Sequence, residues 1–132
     1  MTSVHWKSGK KSVGTESAYL QIESVRWNVH LRSHIWSPPT DLFEMENAYI
    51  ARVEIGGMYQ VAFHIQIEDN YLIIKGNRPE PPGRKAFHQM EVRFGEFSSI
   101  VNIPGPVIES KADAEYVDGF LLVTLPKATT KE

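Results

Sequence analysis

Apolar and polar side chains alternate along much of this chain, which is the period of a half-buried β-strand. The clearest case is Val61, Phe63, Ile65 and Ile67, whose intervening residues are smaller or polar. Turn-forming residues separate this run from its neighbours, and no convincing helical period lies among them. Strands are therefore predicted near 42–46, 51–55, 61–67, 71–75, 87–92, 98–103, 111–117 and 120–125.

The last two predicted strands are joined by Asp118-Gly119. This dipeptide is typical of a tight hairpin, because glycine accepts the positive φ that the turn needs. The run that follows, 120–125, is apolar on both faces except for Thr124. Such a run predicts a strand covered on both sides. Many short strands separated by turns indicate an all-β fold, an antiparallel β-sandwich.

Residues 1–34 have a different pattern and form a predicted N-terminal arm. The first seventeen are polar and rich in glycine and serine, so they are expected to be mobile. Further on, two interpretations remain open. The alternation of Val25, Trp27, Val29 and Leu31 favours a strand, whereas Ala18, Ile22, Val25 and Val29 fit one stripe of a helix. In either case the arm carries enough apolar surface to dock somewhere.

Composition narrows the function classes. The chain has no cysteine, a formal net charge of −2 and 42% hydrophobic residues. Disulfides and thiolate catalysis are thereby excluded, and the charge favours no nucleic-acid partner. The longest apolar run has six residues and the start resembles no signal peptide. We expect a soluble cytoplasmic protein with no membrane partner.

Candidate catalytic and metal-binding residues are few. His30 and His34 are four residues apart, but no carboxylate follows at a spacing that would complete a metal site. Ser98 and Ser99 have no histidine beside them in sequence, and no Gly-x-Ser-x-Gly motif exists. We therefore expect no enzyme activity, no metal and no cofactor.

Six spaced motifs share an order with a known family. They are Trp36-x-Pro38-x-x-Asp41-x-x-Glu44, Ile55-Gly56-Gly57-Met58, Leu72-x-Ile74-x-Gly76-x-Arg78, Glu91-x-x-Phe94-Gly95-x-Phe97, Ile103-Pro104-x-x-Val107 and Ala114-x-x-x-Asp118-Gly119-Phe120-Leu121. Over residues 36–127 the chain resembles the α-crystallin domain of small heat-shock proteins. The resemblance implies an immunoglobulin-like antiparallel β-sandwich at 35–127, between the arm at 1–34 and a short tail at 128–132.

Two departures from the family pattern bear on assembly. Ser99 stands where relatives usually carry an arginine that supports the dimer interface through ion pairs. The chain also has no Ile-x-Ile/Val motif after its last strand, a motif that docks in a neighbour's groove in relatives. We therefore expect a homodimer or a small oligomer rather than a large shell.

The resemblance also implies three candidate sites. An edge groove for client peptide would be bordered by two strands, although the first of these also fits plain sandwich core; its residues are Val61, Phe63, Ile65, Ile67, Ala112, Ala114 and Tyr116. The arm would bind clients through its apolar residues Leu20, Ile22, Val25, Trp27, Val29 and Leu31. The dimer interface would use the residues of a short strand in the long proline-rich loop, Phe87, Met90 and Val92.

Two functions follow from the resemblance. The first is an ATP-independent holding chaperone, which binds partly unfolded proteins through exposed apolar surface and prevents their aggregation. The second is a non-catalytic adaptor or co-chaperone that binds one dedicated folded partner. Protection of unrelated proteins distinguishes them, because an adaptor would give none.

Overall fold

The computed structural model describes residues 3–7 and 35–128, which form two four-stranded sheets packed face to face. The strands are β1 (Ser3–Lys7), β2 (Thr40–Glu44), β3 (Ala48–Glu54), β4 (Ala62–Glu68), β5 (Tyr71–Arg78), β6 (Gly95–Asn102), β7 (Asp113–Val117) and β8 (Phe120–Pro126), with a 3-10 turn at Glu109–Lys111. The first sheet has the order β1-β4-β5-β6 and the second β2-β3-β8-β7. All described pairings between strands are antiparallel except that of β1 with β4. The predicted all-β sandwich is confirmed.

Alternating side chains of both sheets fill the space between them. In the first sheet, Ile65 and Ile67 of β4 are buried, with Ile74 and Leu72 of β5 opposite. In the second sheet, Leu121, Val123 and Leu125 of β8 have no exposed surface. At one edge the ring of Phe97 packs edge-on against Phe63 and Trp36. The period of two in the sequence therefore identifies the core face of each strand.

Two hairpins turn within two residues each. Asp118 and Gly119 both have positive φ, 52° and 84°, between β7 and β8. Asp69 and Asn70 do the same between β4 and β5, with φ of 47° and 71°. Left-handed residues at both central positions match the right-handed twist of the flanking strands. The predicted Asp-Gly hairpin is present, and Asp-Asn makes a turn of the same kind.

The N-terminal end departs from the expectation of mobility over residues 1–17. Ser3–Lys7 is a strand that runs parallel to β4, with Ser3 opposite Ala62 and Lys7 opposite Gln66. An edge strand presents unpaired N–H and C=O groups, and a short extended segment satisfies them. Local composition carries no information about such a distant neighbour, which explains the difference.

The long loop also differs from its predicted form. No strand lies between Arg78 and Gly95 in the described chain, although the sequence pattern favours one over 87–92. A strand needs a neighbour to pair with, and in this single chain the loop has none. The alternating residues of this loop are therefore exposed.

The prediction that β8 is covered on both sides holds for one face only. Phe120 is 37% exposed and Leu122 is half-buried, and both lie on the face that points away from the core. The outer face of the second sheet is thus open to solvent around β8.

Candidate functional site

One candidate site is the edge where β4 and β7 face each other across the opening of the sandwich. We call it the edge site. The rings of Phe63 on β4 and Tyr116 on β7 lie 5.4 Å apart and close one end of it. Ala114 on β7 and Ala112, the residue just before β7, are half-buried against the core. Because alanine side chains are short, this wall is shallow beside the larger side chains of β4.

Tyr116 holds the edge site to the turn that precedes β4. Its hydroxyl donates a hydrogen bond to the carbonyl oxygen of Ile55 at 2.8 Å and accepts one from the amide of Met58 at 3.3 Å. This turn has Gly57 at a φ of 76°, a conformation that glycine adopts without strain. One hydroxyl therefore bridges both ends of a turn that brings the chain into β4.

We expect replacement of Tyr116 by phenylalanine to lower the free energy of unfolding by about 1–2 kcal/mol, because a half-buried carbonyl loses its donor while the ring stays packed. Urea unfolding at a fixed protein concentration measures the change. Tyr59→Phe is the matched control, because it removes the same hydroxyl from a side chain that is 76% exposed. Equal unfolding midpoints for the two variants would contradict the bridging role.

The outward backbone edge of β4 is occupied by β1. The register pairs Val4 with Phe63 and Trp6 with Ile65, so the five-residue strand follows the same stretch of β4 that lines the edge site. Any extended peptide that adds to the first sheet at this edge has to take the place of β1. No pattern in the sequence predicted this strand.

The predicted groove residues occupy two kinds of position. Phe63, Ile65 and Ile67 are buried and belong to the core cluster, while Val61, Ala112, Ala114 and Tyr116 are half-buried against it. The structure therefore brings the two predicted walls together at one edge. The predicted arm residues Leu20, Ile22, Val25, Trp27, Val29 and Leu31 lie outside the described residues.

A second candidate surface is the loop between β5 and β6, whose base is held by Arg78. The guanidinium donates to the carbonyl oxygen of Arg93 from Nε at 2.9 Å and to that of Gly56 from Nη1 at 3.2 Å. It also lies over the rings of Trp36 and Phe94, 4.6 and 5.3 Å from their centroids. These contacts join the two ends of the loop to the body of the domain.

Beyond its base, the loop presents the three predicted interface residues to solvent. Phe87, Met90 and Val92 are 51%, 64% and 62% exposed. Lys85 folds the loop on itself, since its ammonium donates to the carbonyl oxygen of Pro81 and lies 3.3 Å from the carboxylate of Glu80. The exposed apolar side chains are thus carried on a loop with internal polar contacts.

Ser99, the position at which relatives usually have arginine, is only 5% exposed. Its hydroxyl lies 2.7 Å from that of Thr40 on β2, so a pair of neutral hydroxyls joins the two sheets here. Next to it, Ser37 donates to the carbonyl oxygen of Ser98. Sequence reasoning did not single out Thr40 or Ser37, because no local pattern shows contacts across about sixty positions.

Among the described residues no group of three or more histidine, aspartate or glutamate side chains is arranged to hold a metal ion. Within 3–7 and 35–128 no helix is long and apolar enough to cross a membrane.

An immunoglobulin-like antiparallel sandwich with a short parallel strand on its β4 edge and a long loop before the last strand of its first sheet defines the class of this domain. Comparison with protein families identifies the class further. The model of the Hsp20/alpha crystallin family matches residues 41–132. This chain belongs to that family, the small heat-shock proteins.

Relatives agree with this assignment. Small heat shock protein C4 of Rickettsia felis is 32% identical over 109 residues, which are 81% of this chain and 67% of that protein. The 17.7 kDa class II heat shock protein of Arabidopsis thaliana is 34% identical over 99 residues, 71% of this chain and 63% of that protein. This chain thus spans about two thirds of the length of these curated relatives.

Solved structures show the same fold. HSP18.5 from E. histolytica superimposes with a TM-score of 0.62 at 26% identity, covering 73% of this chain and 92% of that one. Heat shock protein 16.0 from Schizosaccharomyces pombe gives a TM-score of 0.59 at 28% identity, with 73% and 94% covered. The α-crystallin sandwich inferred from the six motifs is confirmed.

Proposed function

We propose that this protein is an ATP-independent holding chaperone of the cytoplasm, which binds partly unfolded proteins and keeps them from aggregating. The observation that carries the proposal is the β4 edge, where, within residues 3–7 and 35–128, a five-residue strand covers a backbone edge flanked by half-buried apolar residues. Membership of the small heat-shock protein family supports it. The mechanism needs no covalent chemistry, no cofactor and no nucleotide.

An extended client segment would bind at the edge site by adding a strand to β4. Main-chain hydrogen bonds of such a strand do not depend on the client's sequence, whereas the shallow wall at Ala112 and Ala114 favours apolar side chains. Binding removes aggregation-prone segments from the free pool by mass action. Broad client choice follows from affinity that comes mostly from backbone pairing.

Self-association would come from the loop between β5 and β6. Phe87, Met90 and Val92 are exposed in the single chain, and β2 is an edge strand of the second sheet. Pairing of this loop with β2 of a second copy would bury both the apolar side chains and an open edge. The solved small heat-shock protein from Xylella fastidiosa, with a TM-score of 0.60, is described as having a distinct high order structure. We propose a homodimer. Its two copies together would offer several weak client sites, which bind one client more tightly than any single site does.

The test is light scattering of an unrelated heat-labile enzyme, warmed with and without this protein in the absence of nucleotide. We expect near-complete suppression of aggregation at stoichiometric ratios. The temperature must stay below the unfolding transition of the protein itself, which circular dichroism establishes. Unchanged scattering of two or more unrelated enzymes under those conditions would contradict the chaperone proposal.

A specific observation supports the alternative, a non-catalytic adaptor for one folded partner. The outer face of the second sheet exposes Phe43, Val117 and Phe120 by 37%, 41% and 37%. Val117 and Phe120 are paired across β7 and β8, and an exposed apolar pair on a flat sheet face suits a folded surface better than an extended chain. The scattering assay separates the two functions, because an adaptor would leave unrelated enzymes unprotected.

A further inference from the structure

A row of apolar side chains crosses the outer face of the second sheet. Phe43 on β2 lies opposite Ile50 on β3, and Val117 on β7 lies opposite Phe120 on β8. Leu122 joins the two pairs, because it is the next outward residue of β8 after Phe120 and a diagonal neighbour of Ile50. These five side chains form a diagonal row over all four strands, which we call the outer band.

The outer band is accessible to a partner. Phe43, Val117 and Phe120 are 37%, 41% and 37% exposed, and Ile50 and Leu122 are half-buried. Single exposed apolar side chains are ordinary on a protein surface, whereas a contiguous row of them indicates an interaction site.

Carboxylates lie on both sides of the outer band. Glu54 lies opposite Phe120 on one side. On the other side Glu115 lies opposite Leu122, and Asp113 is the next outward residue of β7. All three carboxylates are exposed, and no residue of the described chain forms a salt bridge with them.

The positive charge on this face is already neutralised. Arg52 is the one basic residue among the outward positions of β2, β3, β7 and β8. Its Nη2 donates a hydrogen bond to Oδ2 of Asp41 at 2.6 Å, and its guanidinium lies 5.0 Å from the ring centroid of Phe43. The potential around the outer band is therefore negative, because one arginine stands against the carboxylates Asp41, Glu54, Asp113 and Glu115.

The dimensions of the outer band match a short helix. Three strand spacings across the sheet, together with the four-residue step between the levels of Phe120 and Thr124, give a diagonal of about 20 Å. An α-helix covers that distance in about 13 residues. A helix also satisfies its own backbone N–H and C=O groups, whereas an extended segment needs a sheet edge to pair with, which this face does not offer.

We propose that the outer band binds an amphipathic helix of a partner protein, one that carries lysine or arginine on both sides of its apolar stripe. Apolar residues at i, i+3, i+4 and i+7 of that helix pack on the band, around Leu122 at its centre. Cations beside the stripe pair with Glu54 on one side and Glu115 on the other. Charge complementarity selects a basic helix, because an acidic one would place like charges against the unpaired carboxylates.

The proposal rests on the adaptor function and names the class of its partner. Val117 and Glu115 point to the outer face of β7, whereas Ala114 and Tyr116, which line the edge site, point to the core. A helix on the outer band and an extended client at the edge site therefore occupy different faces of the same strand. The two kinds of binding can be measured separately.

The test is fluorescence anisotropy of a labelled peptide of about 16 residues, with leucine along one helical face and lysine on both sides of it, titrated with the full-length protein. The double variant Glu54→Lys/Glu115→Lys should bind this peptide at least about tenfold more weakly than wild type. The same variant should bind the peptide in which glutamate replaces every lysine more tightly than wild type does. The matched control is Glu46→Lys/Glu109→Lys, which makes the same change of net charge at exposed positions outside the four strands, and it should bind like wild type.

Three results would overturn the proposal. Equal weakening in the two charge variants would mean attraction to net charge rather than to this face. A peptide of the same composition with two central prolines, which cannot form the helix, would point to an extended ligand if it bound as tightly. Substitutions that alter self-association in analytical ultracentrifugation and leave peptide binding unchanged would assign the outer band to a second copy. Circular dichroism verifies the fold, and Phe120→Ala, expected to weaken binding about fivefold, decides if the double variant unfolds.

The aggregation assay fails independently of the peptide titration. Wild-type protein that suppresses aggregation but does not bind the lysine peptide would refute the helix site and leave the chaperone function standing. Peptide binding that depends on Glu54 and Glu115, without protection of unrelated enzymes, would support the helix site and the adaptor function together.

Discussion

Replacement of Phe97 by alanine is expected to lower the free energy of unfolding by about 3–5 kcal/mol, a large share of the stability of a domain this size. Phe97 is 2% exposed, and its ring centroid lies 5.8 Å from that of Trp36 and 6.2 Å from that of Phe63. Removal of the ring leaves a cavity where β6, β4 and the segment before β2 meet. Urea unfolding at a fixed protein concentration measures the loss.

The control for this substitution is Phe120→Ala, which removes the same ring from a side chain that is 37% exposed. Phe120→Ala should lower the free energy of unfolding by less than half as much as Phe97→Ala. A double-mutant cycle with Gly76 sharpens the test, because a Cβ at Gly76 would lie 2.6 Å from Cζ of Phe97. Gly76→Ala should therefore destabilise wild type markedly and the Phe97→Ala variant much less. If Gly76→Ala lowers the free energy of unfolding equally in both backgrounds, the Phe97 ring is not what excludes a side chain at position 76.

Disruption of β1 is expected to strengthen binding of an extended apolar peptide about tenfold. In the structure β1 holds the β4 edge as an intramolecular competitor, and the high effective concentration of a tethered strand weakens the apparent affinity of any peptide for the same edge. The double variant Val4→Pro/His5→Pro removes two adjacent backbone N–H groups. One of two neighbours in an edge strand points its N–H at β4, so the double change disrupts the pairing whichever it is.

The matched control is Val4→Ala/His5→Ala, which changes the same side chains but leaves the backbone donors in place. Fluorescence anisotropy of a labelled, apolar extended peptide gives the two dissociation constants. Equal constants for the proline and alanine variants would mean that β1 does not compete at the edge site. Aggregation assays on the same variants then show whether stronger peptide binding carries over to whole clients.

Strand existence followed from the sequence because it depends on local alternation. The period in 61–67 predicted β4, and the Asp118-Gly119 turn predicted the β7–β8 hairpin, because side-chain direction and positive φ are properties of a few neighbouring residues. The six spaced motifs predicted the family and its sandwich, and the fold and the family comparison confirm both. The strands β4 and β7, which face each other from different sheets at the edge site, were likewise predicted as strands.

Contacts between distant positions were beyond this reasoning. The hydroxyl pair of Thr40 and Ser99 and the bridge from Tyr116 to Ile55 and Met58 join residues about sixty positions apart. Each contact depends on how the two sheets are aligned face to face. The local alternation of residues along one strand does not show that alignment. For the same reason, the sequence identified Ser99 only as the position where relatives carry arginine and did not predict its contact with Thr40.

Short-range pattern and spaced motifs were enough to assign which residues face the core, where the chain turns and which family it belongs to. The use of the sheet edges depends on the assembled fold. The fold places β1 against β4, leaves the 87–92 stretch unpaired in the described chain, and leaves the outer face of the second sheet open around Leu122. The hydrogen-bonding groups of a sheet edge and the apolar side chains of a sheet face contact whatever chain lies next to them in space. That neighbour can be distant in sequence, so it depends on the complete fold.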